Sequence, residues 1–151
     1  MTASRARRIA VRRSAVHGRG VFALRDIPAE ARIIQYRGDV LTWELAQIRY
    51  EEPADCVEGH TFFFDRGDGT VIDGGSNGNS ARYINHGCDP NCEAFEHAGR
   101  VYIYAAREIL AGTELLLDYQ LQLDDPRDPE LRRPYGCSCG AVSCRSTMLA
   151  P

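Results

Sequence analysis

Two separate segments of the chain carry side chains that could hold a metal ion together. Near the C-terminus, Cys137, Cys139 and Cys144 have the spacing C-x-C-x4-C. An earlier segment offers two further thiols, Cys88 and Cys92. A closed zinc site takes four ligands, and thiolates are among the ligands that zinc prefers. The spacing therefore predicts a site in which the C-terminal cysteines and one earlier cysteine share a zinc ion.

The cysteine count leaves a second use open, because six cysteines could form three disulfides in a secreted protein. The C-x-C spacing is poor for a disulfide framework and good for metal thiolates in a reducing compartment, so we favour zinc. The sixth cysteine, Cys56, is interpreted as a buried or free thiol. Neither the apolar core of a secretory signal nor an apolar run of the roughly 18 residues that a spanning helix needs is visible, so no membrane partner is expected.

The charge of the chain argues against a nucleic-acid partner. The formal net charge is −3 and the pI is about 5.8, so no global positive field exists and no direct nucleic-acid binding is expected. Residues 1–8 are locally basic and are predicted to form a flexible arm. All 18 basic residues are arginine. If the chain modifies lysine, the modified lysine must therefore belong to another molecule.

Short β-branched and aromatic runs between glycines and prolines predict a mostly β fold. The predicted strands lie at residues 9–11, 21–24, 33–36, 62–64, 71–72, 92–95, 101–107 and 114–117, with a further extended run at Val40. Tight hairpin turns are predicted at Asp68-Gly69 and at Ala98-Gly99. Many short strands with irregular joints indicate small sheets packed around a site.

One short helix is predicted over residues 42–51. Leu41, Leu45 and Ile48 recur near helical spacing, which is typical of an amphipathic helix. Thr42 stands where an N-cap would be expected.

Four segments, taken in chain order, resemble the motifs of the SET-domain protein-lysine methyltransferases. Residues 17–22 (HGRGVF) resemble the opening G-x-G of the family, and residues 36–39 (YRGD) its Y-x-G-E. Residues 82–91 (RYINHGCDPN) resemble R-F-I-N-H-S-C-x-P-N, and residues 114–119 (ELLLDY) resemble E-L-x-x-D-Y. A lone G-x-G would mean little. Four ordered motifs followed by a cysteine cluster like that of post-SET regions make the similarity specific.

The resemblance implies a β-clip-like fold of small curled sheets with a zinc-bound C-terminal tail. In this family the segment that ends at the equivalent of Tyr119 passes through the loop made by the Asn-His segment, a pseudo-knot of a kind that is rare among proteins. The implied organisation is a flexible arm at 1–8, a SET domain at 9–120, a polar connector at 121–136 and a zinc-binding, post-SET-like tail at 137–151.

The resemblance also implies an enzyme that transfers methyl groups from S-adenosylmethionine to the ε-amine of a protein lysine. This reaction needs oxygen dipoles near the methyl group and an amine that is desolvated, deprotonated and aligned for in-line attack. By similarity, Tyr119 would orient the amine, and Tyr36 would be a second tyrosine of the lysine channel. Leu117 stands where relatives carry Phe or Tyr, so we hypothesise that di- or trimethylation is possible.

The same resemblance implies how the cofactor is held. Asn85 and His86 match the dipeptide that binds its amino and adenine ends, and a side-chain amide offers both a donor and an acceptor. Gly18 and Gly20 would let the backbone approach the cofactor closely, and Arg19 is a candidate ligand for its carboxylate. The full predicted set is Gly18, Arg19, Gly20, Arg82, Asn85, His86 and Tyr119, with Arg82 supporting the same loop.

For the metal, the resemblance matches Cys137, Cys139 and Cys144 to the post-SET cluster and Cys88 to the fourth ligand. A zinc ion bound there would fold the tail over the channel. Cys92 remains the alternative fourth ligand. Gly87, next to Cys88, departs from the serine that is usual in the family.

Alternatives remain open for the function, the substrate and the location. The substrate could be a histone tail or another basic, lysine-containing protein. A catalytically silent, zinc-stapled peptide-binding module is the alternative to an enzyme, although such a binder would have little need of Tyr36, Asn85, His86 and Tyr119 together. The short chain and its arginine-only composition suggest a bacterial origin. A cytoplasmic location is then expected, with delivery to a host nucleus as the alternative.

Overall fold

The computed structural model describes residues 7–49, 63–119, 136–137 and 139–149, and strands dominate these ranges. The strands are β1 (Ile9–Arg13), β2 (Arg19–Ala23), β3 (Arg32–Tyr36), β4 (Asp39–Thr42), β5 (Phe63–Asp65), β6 (Thr70–Asp73), β7 (Asn85–His86), β8 (Cys92–His97), β9 (Arg100–Ala105) and β10 (Leu116–Leu117). They are accompanied by the helix α1 (Trp43–Arg49) and a 3-10 turn at Ser80–Tyr83. The predicted mostly β fold is confirmed.

The strands form four small sheets. β1 and β2 make an antiparallel hairpin, in which Ile9 lies opposite Ala23 and Arg13 opposite Arg19. β9 lies between β3 and β8, and β6 lies between β4 and β5, all with antiparallel pairing. The fourth sheet is the parallel pair of β7 and β10. The described part of the chain contains no helix that is both long and apolar enough to cross a membrane.

The hydrophobic core joins the β1–β2 hairpin to the sheet that contains β9. Along β9, Val101, Ile103 and Ala105 are buried while Tyr102 and Tyr104 are not, which is the alternation expected of a strand with one buried face. The other large, fully buried residues include Val21, Ile27, Ile109 and Leu115. Because Leu115 directly precedes β10, the core fixes the position of the segment that ends at Tyr119.

The two predicted hairpin turns are confirmed. β5 and β6 are joined through Gly67 and Gly69, whose φ angles are 77° and 87°. β8 and β9 are joined by Ala98 and Gly99, with φ angles of 51° and 78°. Ala98 and Gly99 are successive left-handed residues, which is typical of the type I′ turn, whose twist matches that of a hairpin.

The predicted helix exists, but its apolar residues do not face the core. Its N-cap is as predicted, because Thr42 Oγ1 accepts a hydrogen bond of 3.3 Å from the N–H of Leu45. Among its described side chains Ala46 is fully buried, whereas Leu45 and Ile48 are 54% and 65% exposed. The apolar spacing thus predicts the helix but not which of its residues is buried, and α1 lies against β4 and β6. The predicted end at residue 51 lies outside the described residues.

The last predicted strand, residues 114–117, is shorter than expected. Within residues 114–117 only β10 forms ladder pairs, and it pairs in parallel with β7. Glu114 makes an isolated bridge to Phe22 of β2, and the N–H of Leu115 donates to the carbonyl of Val21 at 2.8 Å. The preceding strand, predicted to reach residue 107, ends with β9 at Ala105.

The segment that surrounds Cys88 contacts β10 at two places. Before Cys88, the N–H of Gly87 donates to the carbonyl of Leu117 at 2.9 Å. After Cys88, Asn91 Nδ2 donates to the Glu114 carbonyl at 2.8 Å, and Asn91 Oδ1 accepts from the Leu116 N–H at 2.9 Å. Such contacts are compatible with the pseudo-knot, which stays a prediction.

Several predicted segments lie wholly or mostly outside the described residues. The description begins at residue 7 of the predicted arm at 1–8, and of the predicted connector at 121–136 it includes only Gly136. Cys56 also lies outside. The predicted domain boundaries therefore stay predictions.

Gly87 packs against Leu116, and we predict that Gly87→Ala destabilises the protein. A Cβ at Gly87 would lie 2.8 Å from Leu116 Cδ1 and 2.9 Å from its Cβ. The φ of Gly87 is not positive, so overpacking rather than backbone strain should lower the free energy of unfolding, by about 1–3 kcal/mol. Urea denaturation measures this loss. In Gly87→Ala/Leu116→Ala the loss should be smaller than the sum of the single losses, whereas strict additivity would show that the side chains do not compete for space.

Candidate active site and metal centre

Four cysteines that are far apart in sequence meet in the structure. The Sγ atoms of Cys88, Cys137, Cys139 and Cys144 all lie within 4.8 Å of one another, and those of Cys88 and Cys137 are 3.8 Å apart. A tetrahedral ion with metal–sulfur bonds of about 2.3 Å separates its sulfurs by about 3.8 Å. The arrangement therefore fits a four-thiolate metal site made of the residues that the sequence predicts.

The thiols of this cluster differ in how readily they ionise. Burial raises the pKa of the Cys137 thiol to about 12. Burial also acts to raise the pKa of the Cys139 thiol. Hydrogen bonds from the backbone N–H groups of Cys88 and Ala141, and then the neighbouring thiols, outweigh burial and lower this pKa to about 6. One sulfur is thus favoured as a thiolate, the form in which cysteine binds a metal.

Cys92, the alternative fourth ligand, lies outside this cluster. It is 1% exposed at the start of β8 and belongs to the hydrophobic core. Its Sγ donates to Asn91 Oδ1 at 3.4 Å, and burial raises its pKa to about 12. Among the described cysteines, the structure therefore brings Cys88 and not Cys92 to the C-terminal thiols.

Arg145 ties the cysteine cluster to the segment that ends at Tyr119. Its backbone N–H donates to Cys88 Sγ at 3.3 Å. Its guanidinium donates to both carboxylate oxygens of Asp118, at 2.9 Å each. The two side chains are only 24% and 17% exposed, so this bidentate pair is partly shielded from water and holds the tail in one orientation.

His86 links the cluster to the backbone of Tyr119. Its Nδ1 accepts a 3.0 Å hydrogen bond from the Tyr119 N–H, and its Nε2 lies 3.4 Å from Cys88 Sγ. Burial lowers the pKa of His86, against the opposite effect of Asp118, so the ring is neutral near pH 7. With Nδ1 accepting, the proton lies on Nε2 and points at the sulfur. The predicted contact between His86 and adenine stays a prediction.

The Tyr119 hydroxyl is fixed at the end of β7 and stays protonated. It donates to the carbonyl of Ile84. Burial, followed by the nearby Tyr36 and Glu114, raises the pKa of Tyr119. A neutral phenol whose proton is already engaged can still accept a hydrogen bond through its oxygen. Tyr119 can therefore orient an incoming N–H group, although it is not a phenolate that could remove its proton.

Tyr36 lies near Tyr119 and contributes to the raised pKa of that residue. Its role as a second tyrosine of a lysine channel stays a prediction. Its ring packs against Phe64 at a centroid distance of 5.2 Å. Burial and then the carboxylate of Asp73 raise the pKa of Tyr36, against a smaller opposite effect of Arg82. Both tyrosines are thus neutral hydroxyl groups in a low-dielectric setting.

A cavity of about 480 Å³ opens beside Tyr119. Phe64, Leu117 and Tyr119 line it with aromatic and aliphatic residues, and the acidic residues Glu93 and Asp118 also line it. Of these two, Asp118 is already paired with Arg145. Apolar walls beside negative charge suit an aliphatic side chain that ends in a cation.

Asn85 brings the predicted cofactor loop to the same region. Its Nδ2 donates to the carbonyls of His17 and Arg19, at 3.0 and 2.9 Å, and to Glu114 Oε1 at 2.9 Å. Between the two carbonyls, Gly18 has a φ of 40°, a conformation that glycine adopts at little cost. The loop carbonyls converge on Asn85, so this part of the chain can present oxygen acceptors to a cationic group.

The two predicted arginines flank the ring of Tyr83. Arg82 Nη2 donates to the Tyr83 hydroxyl at 2.7 Å, and the Arg82 guanidinium lies 4.7 Å from the ring centroid. The Arg19 guanidinium lies 6.0 Å from the same centroid. Arg82 thus supports the 3-10 turn before Asn85. Its contact with a cofactor, and that of Arg19, stay predictions.

Sequence reasoning gave no role to several residues that hold these groups in place. Asn91 and Asp118 lie inside the recognised motifs, where their buried polar contacts could have been suspected. Arg145 directly follows Cys144, and a cation next to thiolates is a usable signal. Ser14, whose Oγ donates to the Glu114 carboxylate, precedes every motif and gives no signal in the sequence.

Comparison with known proteins agrees with the motifs. Residues 18–120 match the family described as SET domain. The chain is 36% identical over 149 residues to histone-lysine N-methyltransferase set1 of Dictyostelium discoideum, covering 96% of this chain and 10% of that protein. It is 39% identical over 137 residues to the H3 lysine-4 specific histone-lysine N-methyltransferase of Saccharomyces cerevisiae, covering 88% and 12%. It is 38% identical over 141 residues to human histone-lysine N-methyltransferase 2B, covering 91% and 5%.

The chain thus spans only 5–12% of the length of these relatives. The similarity covers the region that contains the tyrosines, the Asn-His segment and the cysteine cluster.

Proposed function

Because the chain belongs to the SET-domain family, we propose that it transfers methyl groups from S-adenosylmethionine to the ε-amine of a lysine in another protein. The observation that carries this proposal is the position of Tyr119. Its neutral hydroxyl donates to the Ile84 carbonyl, and Tyr119 lines a cavity that also has aromatic, aliphatic and acidic residues in its wall. S-adenosylmethionine supplies an activated methyl group, so the remaining task of the protein is to desolvate and align the amine.

The cavity beside Tyr119 provides for that task. Glu93, an acidic residue of the lining, attracts a lysine cation, and Phe64 and Leu117 receive its aliphatic chain. Transfer into an apolar channel disfavours the ammonium form and so lowers the pKa of the lysine. The neutral amine can then donate an N–H to the Tyr119 oxygen, which would leave its lone pair directed away from Tyr119.

The loop around Asn85 is the candidate binding site for the amino-acid end of S-adenosylmethionine. The carbonyls of His17 and Arg19 lie beside the amide of Asn85, and oxygen acceptors are the partners that an ammonium group needs. Gly18 and Gly20 keep this loop free of side-chain bulk, and Arg19 is the candidate partner for the carboxylate.

We further propose that the four-cysteine cluster holds a structural zinc ion. Cys88, Cys137, Cys139 and Cys144 supply the four thiolates that a closed site takes. The metal would fix the tail against the core and would keep Cys88 in place beside His86. A structural ion of this kind contributes to folding and supplies no reacting group.

The substrate class follows from the acidic cavity and from the relatives. Two of the relatives above are named for histone lysine methylation in general and one for lysine 4 of H3. We propose a basic, lysine-containing protein segment such as a histone tail as the substrate. The 151 residues contain no lysine. Any methyl-lysine detected in the reaction therefore belongs to the substrate and not to the enzyme.

We predict that the purified protein binds one zinc ion and that Cys88→Ser loses it. Loss of one of four thiolates should weaken zinc binding by several orders of magnitude, because an open site is filled by water. Elemental analysis after competition with a chelator measures the bound zinc. Cys92→Ser is the matched control and should retain the metal. Retention of zinc by Cys88→Ser together with its loss in Cys92→Ser would reverse the ligand assignment.

We predict that Tyr119→Phe lowers the rate of lysine methylation on the order of 100-fold, the cost expected when a reacting amine is no longer aligned. Mass spectrometry of core histones and of a bacterial lysate after incubation with S-adenosylmethionine measures the product. Tyr102→Phe, which removes a hydroxyl from the outer face of β9, should keep full activity.

Two results would contradict this function. Equal methylation by the wild-type protein and by Tyr119→Phe would remove Tyr119 from the mechanism. An inactive wild-type protein that still binds S-adenosylmethionine and lysine peptides would favour the silent binding module.

Leu117 predicts the product of the reaction. Leu117 lines the cavity and cannot hydrogen-bond a water that would restrain a mono-methylated amine. We expect the wild-type protein to form di- and trimethyl-lysine and Leu117→Tyr to shift the product towards mono-methyl-lysine. Leu117→Phe controls for ring size without a hydroxyl, and mass spectrometry of a lysine peptide resolves the three states. A wild-type reaction that stops at mono-methyl-lysine would exclude this role for Leu117.

A further inference from the structure

Glu114 contacts Asn85 and Ser14 beside the predicted cofactor loop, and the resemblance gives it no role. We propose that Glu114, together with Ser14, is a positioning residue that fixes the orientation of the Asn85 amide and the shape of the loop at residues 15–19. This inference rests on the proposed function, because it concerns the site at which S-adenosylmethionine would bind.

The partners of the Asn85 side chain fix the orientation of its amide. All three partners of its Nδ2 are groups that can only accept: the carbonyls of His17 and Arg19 and the carboxylate of Glu114. An amide oxygen in that place would face three acceptors without a proton between them. The nitrogen must therefore face the loop and Glu114, and Oδ1 lies on the opposite side of the amide.

Ser14 in turn holds the carboxylate of Glu114. Ser14 Oγ lies 2.7 and 2.9 Å from the two carboxylate oxygens and donates its proton to the carboxylate. The same Ser14 Oγ accepts from the N–H of Val16 at 2.9 Å, and the Ser14 N–H donates to the Gly18 carbonyl at 2.8 Å. Ser14 thus closes the turn at residues 14–18 and joins it to a carboxylate 100 residues away.

The carboxylate of Glu114 fills the space next to Gly20. A Cβ at Gly20 would lie 2.0 Å from Glu114 Oε1 and 3.1 Å from Ser14 Cβ. The second glycine of G-x-G is therefore required by the carboxylate that packs behind the loop. The backbone of Glu114 is fixed as well, by its bridge to Phe22 and by the buried Leu115 that follows it.

These contacts have an electrostatic consequence for a bound ligand. Negative charge at the NH₂ end of an amide polarises the amide and makes its oxygen a stronger acceptor. Asn85 Oδ1 should therefore bind the ammonium group of the cofactor more tightly with Glu114 behind it. Glu114 acts through Asn85 and the loop carbonyls, so its loss should weaken cofactor binding and leave the methyl-transfer step largely intact.

The test compares Glu114→Gln with Glu108→Gln, a matched change at an exposed glutamate. Glutamine has nearly the same shape but no charge, and it can present either a donor or an acceptor to Asn85. Calorimetric titration with S-adenosylmethionine should show binding that is about tenfold weaker for Glu114→Gln, as expected from the loss of one charge-assisted hydrogen bond. Glu108→Gln should bind like the wild type. At saturating cofactor, kcat of Glu114→Gln should stay within about twofold of the wild type.

Ser14→Ala tests the same network without changing the charge, and it also serves if Glu114→Gln folds poorly. Its cofactor affinity should fall by about threefold, as for a neutral hydrogen bond. In the Glu114→Gln background the same change should have a smaller effect, because the two residues act as one unit. Equal effects in both backgrounds would overturn the coupling between them.

Nuclear magnetic resonance of the Asn85 side-chain amide separates this inference from the proposed function. Its NH₂ signals, assigned by their absence in Asn85→Ala, should move and exchange faster with water in Glu114→Gln than in Glu108→Gln. Unchanged signals, or a fall in kcat with unchanged cofactor affinity, would overturn the positioning role. A wild-type protein that binds no S-adenosylmethionine while the signals still move would overturn the proposed function and would retain Glu114 as the residue that orients Asn85.

Discussion

The site depends on a parallel pair of strands that are each only two residues long. Such a ladder supplies too few backbone hydrogen bonds to fix a segment by itself. Side-chain groups complete the pairing: the Asn91 amide contacts the backbone of Glu114 and Leu116, and His86 accepts from the N–H of Tyr119. Buried polar groups of this kind tolerate few alternative arrangements, because each one is costly if it loses its partner. The position of Tyr119 is therefore set by amide and imidazole groups more than by sheet structure.

The same contacts make the cysteine cluster and the tyrosine site one mechanical unit. Cys88 lies between the cluster and His86, whose other ring nitrogen accepts from the Tyr119 backbone. Arg145, which follows Cys144 in the tail, donates hydrogen bonds to both carboxylate oxygens of Asp118. The thiols are thus connected to Tyr119 through His86 and to Asp118 through Arg145. A metal bound by the thiols would stabilise this connection without contacting any reacting atom.

The sequence predicted the members of the cysteine cluster and the candidate site residues better than it predicted the residues that hold them in place. The four cysteines and the pair Tyr36 and Tyr119 could be named because their types are rare and their motifs are dense. The face of α1 could not, because Leu45 and Ile48 have helical spacing but are exposed, whereas Ala46 is buried. The link between Ser14 and Glu114 was also invisible. It joins residues 100 positions apart, and a serine or a glutamate alone is most often a solvated surface residue.

Leu116 connects the two departures from the family motif, at residues 87 and 117, by packing. Leu116 fills the space that a side chain at Gly87 would need, and the neighbouring Leu117 turns to the opposite face of β10, as successive strand residues do. One leucine therefore packs against the Asn-His segment while the next lines the cavity beside Tyr119. A serine at position 87 would require Leu116 to move, and because Leu116 and Leu117 together form the two-residue strand β10, the movement would reach the cavity wall. The glycine and the two leucines therefore act together in packing: Leu116 fills the space given up at residue 87, and this contact fixes the strand whose other leucine lines the cavity beside Tyr119.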